Sequence, residues 1–270
     1  MNLCPRNRYL ATDSPDAFER ARLSLLTQFA DPITTRRLTD LGVGPGWQCL
    51  EVGAGDGSVA RWLAGRVGSQ GRVVATDLNP RFLGRHGLPN LEVRRHNILQ
   101  DDLEAAHFDL VHCRALLVHL PDPVRALRRL LGAVRPGGWL LVEEAGGSAS
   151  FGAVGPGHPR AAGFDRSTRA LCAALKANGT MDLDFGRRLP ALFEELGARD
   201  IGNEGVILTA RGGDPLARFC QMTDRLTRDR VVAAGVLTGA DFDELSRAYD
   251  DRSFWFVGYT LFGAWGRRPG

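Results

Sequence analysis

The segment from Leu50 to Ser58 constrains the fold of this 270-residue chain more than any other feature. An apolar stretch that predicts a buried strand leads directly into Gly53, Gly55 and Gly57. Alternating glycines allow a sharp turn from strand to helix and bring bare backbone N–H groups close to a ligand. A second apolar strand ends in Asp77, where a carboxylate can accept hydrogen bonds from a ribose diol. The sequence therefore predicts a site for a nucleoside cofactor.

The spacing of the glycines indicates which nucleoside cofactor the turn accepts. A dinucleotide fingerprint has the form G-x-G-x-x-G, and Ser58 stands where its third glycine would be. Glu51, two residues before the first glycine, would repel a pyrophosphate. S-adenosylmethionine has a sulfonium, an ammonium and one carboxylate but no phosphate. The pattern therefore favours S-adenosylmethionine, with S-adenosylhomocysteine as product, over a nicotinamide dinucleotide.

Six ordered motifs resemble those of the class I S-adenosylmethionine-dependent methyltransferases, including the quinone-biosynthesis type and actinobacterial natural-product enzymes that act on small molecules. The resemblance covers roughly residues 40–145. The matching segments are Leu50–Ser58, Val73–Leu78, Arg95–Ile98, Phe108–Cys113, His119–Pro123 and Leu131–Glu144. The resemblance implies a Rossmann-like α/β fold with a seven-stranded, mostly parallel sheet and helices on both faces.

Alternating strand and helix patterns support the same fold, because such alternation predicts parallel strands joined by right-handed crossovers. The predicted strands are 48–52, 72–76, 91–95, 108–112, 139–143, 201–210 and 253–265. Two helices are predicted within 14–41, the second beginning at Asp31-Pro32. We predict three parts: a helical cover at 1–45, the cofactor-binding core at 46–145, and cap helices with the last strands at 146–270. Roughly forty residues separate the last two strands and belong to the predicted cap.

The cofactor residues are predicted at the carboxyl ends of the strands, where ligands of open α/β sheets bind. Glu51 is predicted to hold the methionyl ammonium, or alternatively to tie the glycine loop to the backbone. Asp77 is predicted to bind the ribose, with an N-cap as its alternative role. Asn97 replaces the usual aspartate of the family and is predicted to accept from adenine, or else to bond its own loop. The full predicted set is Glu51, Gly53, Ala54, Gly55, Gly57, Asp77, Leu78, Asn97, Ile98 and Cys113.

Methyl transfer mainly requires the acceptor to be positioned in line with the S–CH₃ bond. A phenol or enol acceptor also requires a base. The candidates are His119, His158 and Glu144, while His112 is interpreted as a core residue. His119 has the alternative of a structural histidine at a helix end. Glu143 and Glu144 point to opposite faces of their strand, so at most one reaches the pocket.

Composition narrows the class of acceptor. The formal net charge is only +3, and no basic stripe with interleaved aromatic residues is present, which disfavours nucleic acid. The five cysteines are scattered without a C-x-x-C pair, and no metal site is predicted. The chain shows no signal peptide and no long apolar run, so a cytoplasmic enzyme that binds no membrane is expected.

The predicted reaction is methyl transfer to oxygen or carbon of a small molecule, most plausibly a secondary metabolite, with nitrogen not excluded. The alternative is a cyclisation, hydroxylation or decarboxylation by a protein of the same fold that binds S-adenosylmethionine without donating its methyl group. Dimers are frequent among similar enzymes, but the sequence shows no self-complementary surface, and the oligomeric state stays open.

Overall fold

A computed structural model describes residues 9–84 and 87–270. Within these residues there are seven α-helices and eight strands. The helices are α1 Asp16–Asp40, α2 Ser58–Val67, α3 Pro123–Ala133, α4 Ala161–Ala177, α5 Leu189–Glu195, α6 Pro215–Ala233 and α7 Gly239–Asp250. The strands are β1 Gln48–Val52, β2 Arg72–Asp77, β3 Leu91–Arg95, β4 Phe108–Arg114, β5 Val134–Gly146, β6 Gly152–Ala153, β7 Arg199–Arg211 and β8 Trp255–Arg267. Short 3₁₀ helices include Pro80–Phe82 and Leu117–His119.

The predicted α/β fold is confirmed, with one difference in the number of strands. The strand order is β3-β2-β1-β4-β5-β8-β6, and β7 pairs with β8. Strands β1 to β5 pair in parallel, as the alternating pattern predicts, whereas β6 pairs with β8 antiparallel. The prediction of seven strands is wrong because β6, Gly152–Ala153, is a strand of two residues within a glycine-rich stretch, too short to give a periodic signal.

The two helices predicted before β1 form one continuous helix, α1, with Pro32 inside it. Proline lacks the N–H that would bond the preceding turn, which is why Asp31-Pro32 predicts a helix start. The Thr35 hydroxyl donates to the Asp31 carbonyl over 2.8 Å, one of the contacts within this turn. The helix therefore continues through the proline.

The described residues form two compact units. The core unit comprises Ala30–Glu144, Phe185–Glu204 and Phe262–Gly270, and the helical unit comprises the described residues up to Phe29, Ala145–Asp184 and Gly205–Leu261. The division predicted from the sequence, into residues 1–45, 46–145 and 146–270, stays a prediction. None of the described helices combines the length and apolar character of a membrane-spanning helix.

The hydrophobic core of the core unit explains why β1 and α2 hold the glycine turn in place. Helix α2 buries Val59, Leu63 and Val67 against the apolar face formed by β1, β2 and β4. Burial of one such side chain stabilises a fold by about 1.5–3 kcal/mol. Because β1, β2, β4 and β5 run parallel, their carboxyl ends lie at the same edge of the sheet.

The helical unit has its own aromatic core. Phe164 of α4 lies 4.8 Å from Phe254 and 5.6 Å from Tyr249 of α7, measured between ring centroids. Phe151 stacks on Phe164 at 6.0 Å. These rings are buried, and edge-to-face pairs of this kind add about 0.5–1.5 kcal/mol each.

Candidate functional site

Three glycines with positive φ build the turn between β1 and α2. Gly53, Gly55 and Gly57 have φ angles of 73°, 57° and 80°, and residues with a Cβ adopt such angles at a cost of roughly 1–2 kcal/mol. A Cβ on Gly57 would lie 2.6 Å from Leu83 Cδ2, and one on Gly53 would lie 3.2 Å from Leu116 Cδ1. The turn therefore requires glycine for its backbone conformation and for space.

The N–H groups of this loop already have acceptors within the protein. Four of them donate internally: Gly53 and Ala54 to the Thr76 carbonyl over 2.8 and 3.0 Å, Gly57 to the Ala54 carbonyl over 2.8 Å, and Gly55 to Asp77 Oδ2 over 3.0 Å. The expectation of bare N–H groups at these positions is therefore wrong. Anion cradles at helix N-termini depend on unpaired N–H groups, so this loop is a poor site for a pyrophosphate.

Asp77 lies at the end of β2, half-buried, and its carboxylate holds two turns together. Its Oδ2 accepts from Gly55 N, and its Oδ1 accepts from Asn79 N over 2.8 Å. The second bond supports the turn before the 3₁₀ helix Pro80–Phe82. This role resembles the N-cap that the sequence offers as the alternative for Asp77. The predicted contact of Asp77 with a ribose stays a prediction. The neighbouring Leu78 is 48% exposed and offers apolar surface.

The loop after β3 contains Asn97 and Ile98. Asn97 Oδ1 accepts from Leu99 N over 3.0 Å, and Asn97 N donates to Asp101 Oδ2 over 2.7 Å. Asn97 thus bonds its own loop, as its alternative interpretation states, and its side-chain oxygen keeps one lone pair for adenine. Ile98 is 4% exposed. The backbone N–H of His96 donates to the Asp77 carbonyl over 2.9 Å and joins this loop to β2.

Glu51 is 3% exposed and lies inside the sheet, next to His112 on β4. Glu51 Oε2 is 2.5 Å from His112 Nδ1, and His112 Nε2 is 3.1 Å from Glu143 Oε2. Burial alone would lower the pKa of His112, but the two carboxylates outweigh it and raise the pKa to about 9. The histidine is therefore a cation at neutral pH. The carboxylate of Glu51 is thus paired with a buried cation, and its predicted contact with a ligand ammonium, directly or through water, stays a prediction.

Glu143 extends this network to α1. Its Oε1 accepts from Arg37 Nη1 over 2.6 Å, and its Oε2 accepts from the Thr34 hydroxyl over 2.5 Å. Burial opposes ionisation of Glu143, yet the bond to His112 and the nearby guanidinium groups lower its pKa to about 2. We name the set Glu51, His112, Glu143 and Arg37 the buried charge network. The sequence analysis did not predict that these residues pair. A charged or polar residue within each of the apolar strands β1, β4 and β5 was the sequence feature that indicated it.

A second group of polar contacts ties α1 to the strand ends. Arg114, the last residue of β4, donates to Asp31 Oδ1 over 2.7 Å and to the Thr34 hydroxyl over 2.8 Å. The Ser58 hydroxyl donates to the same oxygen of Asp31 over 3.2 Å. Ser58, which distinguishes the glycine spacing from a dinucleotide fingerprint, therefore links α2 to α1.

Glu144 lies at the opposite face of β5 from Glu143 and is fully buried. Its Oε1 accepts from Leu116 N over 2.9 Å and from Leu117 N over 2.5 Å, which caps the 3₁₀ helix Leu117–His119. Its Oε2 is buried and has no hydrogen-bond partner. Burial raises the pKa of Glu144 to about 8, although the backbone bonds oppose this shift. A carboxyl group with a pKa near neutrality is suited to proton transfer.

The remaining predicted site residues, His119, Cys113 and His158, lie in three different surroundings. His119 ends the 3₁₀ helix that Glu144 caps, and its backbone N–H donates to the Leu116 carbonyl over 3.1 Å. Cys113 has no exposed surface, and burial raises the pKa of its thiol well above the usual value. Its predicted cofactor contact would require surface that β4 does not expose. His158 belongs to the helical unit, where its Nε2 lies 3.3 Å from the Ser253 hydroxyl.

Within residues 9–84 and 87–270, no group of three or more His, Cys, Asp or Glu side chains is arranged to hold a metal ion.

Comparison with known proteins identifies the domain that carries this loop. Residues 50–140 match the family model described as a methyltransferase domain. The match includes the glycine turn, Asp77, the Asn97 loop and β4.

Two curated relatives extend the comparison. The chain is 33% identical over 180 residues to methyltransferase str2 of Strobilurus tenacellus, which covers 66% of this chain and 63% of that protein. It is 31% identical over 119 residues to a ubiquinone biosynthesis O-methyltransferase of Albidiferax ferrireducens, covering 41% of this chain and 46% of that protein. The chain therefore spans about half to two thirds of the length of these relatives.

A solved structure shares the fold across almost the whole chain. Phosphoethanolamine N-methyltransferase 2 of Haemonchus contortus superimposes with a TM-score of 0.62 at 16% identity, covering 99% of this chain and 61% of that one. This likeness concerns the fold alone. With the family match and the curated relatives, it confirms the predicted resemblance. Residues 50–140 therefore match a methyltransferase domain, within a fold that solved methyltransferases share.

Proposed function

We propose that this chain binds S-adenosylmethionine and transfers its methyl group to oxygen or carbon of a small molecule, of the kind found among secondary metabolites. The observation that carries the proposal is the bond between Gly55 N and Asp77 Oδ2, 3.0 Å long. It holds a strand-tip carboxylate beside a glycine turn whose N–H groups are occupied. Such a site fits a ribose diol and disfavours a pyrophosphate.

The residues of the core unit fit this cofactor. Asp77 would accept from the ribose hydroxyls, and charge-assisted bonds of this type contribute about 1.5–3 kcal/mol. Leu78 and Asn97 would contact the adenine through apolar surface and the remaining lone pair of the amide oxygen. The glycine turn at Gly53–Gly57 would accommodate the methionyl part, because a Cβ at Gly53 or Gly57 would crowd the loop.

Glu51 would act through His112 rather than by contact with the cofactor. The buried charge network leaves no exposed carboxylate at β1, so the ammonium of the cofactor would have to bind backbone carbonyl groups of the loop. This assignment differs from the direct contact expected from the sequence. It follows from the 3% exposure of Glu51 and its 2.5 Å distance to His112 Nδ1.

S-adenosylmethionine, when bound, supplies an electrophilic methyl group for in-line displacement. The chain's own task is to orient the acceptor and remove its proton. Glu144 is the best candidate for the proton acceptor, because its Oε2 has no partner within the protein. Its pKa of about 8 means that it accepts a proton only where the pH approaches or exceeds 8. His119, on the 3₁₀ helix capped by Glu144, is the second candidate. His158 remains a candidate from the sequence only.

A small acceptor is favoured over a macromolecule. The net charge of +3 is carried by interspersed arginines with a single lysine, so no basic surface for nucleic acid is expected. The curated relatives include a ubiquinone biosynthesis O-methyltransferase, and this name supports oxygen as the acceptor atom. Whether the chain acts as a dimer, and where it acts, stay predictions from the sequence.

Calorimetry and product analysis test the proposal in two steps. The purified chain is first titrated with S-adenosylhomocysteine and, as a control, with NAD. It is then incubated with S-adenosylmethionine carrying a deuterated methyl group and a panel of phenols and enols. We expect heat with S-adenosylhomocysteine, none with NAD, and a product that carries the deuterated methyl.

Two results would contradict the proposal in distinguishable ways. Folded protein that gives no heat with S-adenosylhomocysteine would exclude the cofactor. Binding of S-adenosylmethionine with conversion of an acceptor but no transfer of label would instead support a non-methylating reaction of the same fold, such as a cyclisation.

A further inference from the structure

The helical unit contains a cavity, and none of the residues that line it lies within the methyltransferase domain of residues 50–140. It is lined by α4, α6, α7 and β8, with Phe151 and Met181 from the connecting segments, and its free space is about 320 Å³ including its opening to solvent. The interior is narrow and admits only a small head group. Most of its lining is apolar or aromatic; two threonines, Thr168 and Thr223, add hydroxyl groups, and Asp224 on α6 adds its carboxyl group.

Asp224 lacks the partners that a buried carboxyl group needs. The Tyr249 hydroxyl donates one hydrogen bond to it, but Asp224 Oδ2 has no exposed surface and no hydrogen-bond partner. Burial raises the pKa of this carboxyl group to about 8, and the bond from Tyr249 opposes the shift only in part. A buried polar atom without a partner is destabilising, so its presence beside the cavity points to a ligand.

Another buried carboxyl group of the same unit shows what is missing at Asp224. Glu19 is 2% exposed, and Arg22 donates to both of its oxygens over 2.7 and 2.8 Å. None of the described residues that line the cavity is a lysine, arginine or histidine. The Arg22 guanidinium donates to Thr223 at the cavity wall over 3.4 Å, but it is already paired with Glu19. The titratable groups near Asp224 are Tyr249, Tyr259, Cys172 and Cys220, and all four are neutral when protonated. A positive charge for Asp224 would therefore come from outside the protein.

The aromatic walls suit the same kind of ligand. Phe151 and Tyr259 lie 5.4 Å apart in an edge-to-face arrangement, and Tyr249 completes the aromatic lining next to Asp224. Aromatic ring faces attract cations, and the attraction is stronger where water is excluded. A carboxyl group and three aromatic rings therefore form the chemistry of an ammonium site.

We propose that this cavity binds the protonated amino group of a small alkylamine. The ammonium donates to the carboxyl group of Asp224, and the alkyl chain packs along Leu171 and Phe151 toward the opening. At neutral pH the ammonium displaces the proton of Asp224, so binding forms the ion pair and releases one proton to the buffer. The site is independent of the proposed methyl transfer, since none of its residues belongs to the core unit.

Binding of n-butylamine to the full chain tests this assignment, with n-butanol as the neutral analogue of similar shape. Calorimetry at pH 7 in two buffers of different ionisation enthalpy measures both affinity and proton release. We expect n-butylamine to bind at least tenfold more tightly than n-butanol and to release close to one proton. Asp224→Asn should lower the affinity for n-butylamine at least tenfold, whereas Asp229→Asn, an exposed acid on the same helix, should not change it.

Asp224→Asn should fold, because asparagine has the shape of a protonated aspartic acid, and circular dichroism with a thermal melt checks this. The proposal is overturned if wild-type protein binds neither compound, if n-butanol binds as tightly as n-butylamine, or if folded Asp224→Asn keeps the wild-type affinity. Should the variant not fold, binding of n-butylamine to wild-type protein without proton release would overturn it equally. These results leave the test with S-adenosylhomocysteine unaffected.

Discussion

His112 Nδ1 lies 2.5 Å from Glu51 Oε2, and these two residues are direct neighbours across the parallel pair β1 and β4. The bond places a cation inside the sheet, close to the glycine turn that follows Glu51. Through Glu143, the same imidazole connects β1 and β4 to β5 and to the C-terminal half of α1. The buried charge network thus fixes the strand ends that carry the proposed cofactor site.

Replacement of His112 by glutamine should destabilise the core unit. Loss of one partner from a buried ion pair leaves an uncompensated charge and costs about 3–5 kcal/mol. Urea unfolding followed by circular dichroism measures the change. His107→Gln, at an exposed position just before β4, is the matched control and should change the free energy of unfolding by less than about 0.5 kcal/mol. Equal unfolding midpoints for the two variants would show that the network contributes no stability.

The stability of the wild type should fall as the pH rises through neutrality. The folded-state pKa of His112 is raised from 6.5 to about 9, so its contribution is complete below pH 6.5 and is lost between pH 6.5 and 9. The size of the effect is on the order of 3 kcal/mol. Glu144 and Asp224 also hold protons in the folded state and add to the slope up to about pH 8. Free energies of unfolding at pH 6 and 9.5, compared between wild type and His112→Gln, isolate the histidine. A difference between the two proteins that does not change with pH would contradict this assignment.

Alanine at Gly57 should destabilise the turn, whereas alanine at Gly65 should not. Gly57 has a φ of 80° and a Cβ there would meet Leu83 Cδ2 at 2.6 Å, so we expect a loss of at least about 1–2 kcal/mol. Gly65 lies within α2, the helix that follows Gly57, and an added Cβ there would have no atom within 4 Å. Gly65→Ala should therefore stabilise α2 by about 0.5–1 kcal/mol. Thermal unfolding of both variants provides the measurement. A stable Gly57→Ala protein with unchanged cofactor affinity would mean that the turn has another conformation.

Asp77→Asn should weaken binding of S-adenosylhomocysteine by about 1.5–3 kcal/mol, or roughly 10- to 150-fold. Asparagine keeps one acceptor for Gly55 N or Asn79 N but loses the charge and the second acceptor oxygen. Calorimetry measures the affinity, with Asp243→Asn, an acid of α7 paired with Arg228, as the control. Wild-type affinity in folded Asp77→Asn would remove this residue from the ribose site.

Glu144→Gln should lower kcat at least about a hundredfold if Glu144 accepts the acceptor's proton. Glutamine preserves an oxygen for the N–H groups of Leu116 and Leu117, so the 3₁₀ helix and the affinity for S-adenosylhomocysteine should be retained. His119→Asn in the same assay should reduce kcat less than tenfold. A large loss with His119→Asn and a small one with Glu144→Gln would exchange the two roles.

Most of the fold follows from the sequence because periodicity and turn residues are local signals. The apolar runs ending in Val52 and Asp77, and the glycines between β1 and α2, are sufficient to place a parallel sheet with a cofactor turn at its edge. The exceptions are also local in origin. Pro32 signals a helix start although α1 continues through it, and β6 is a strand of two residues.

The sequence by itself determined the class of fold, the glycine turn and the position of Asp77, since these depend on residues close together along the chain. Only the tertiary structure decided that Glu51 pairs with His112, that four N–H groups of the glycine loop have acceptors within the protein, and that one oxygen of Asp224 has no partner. The physical reason is that charge pairing and burial depend on which strands and helices become neighbours, and contacts such as Arg37 with Glu143 join residues far apart in the sequence.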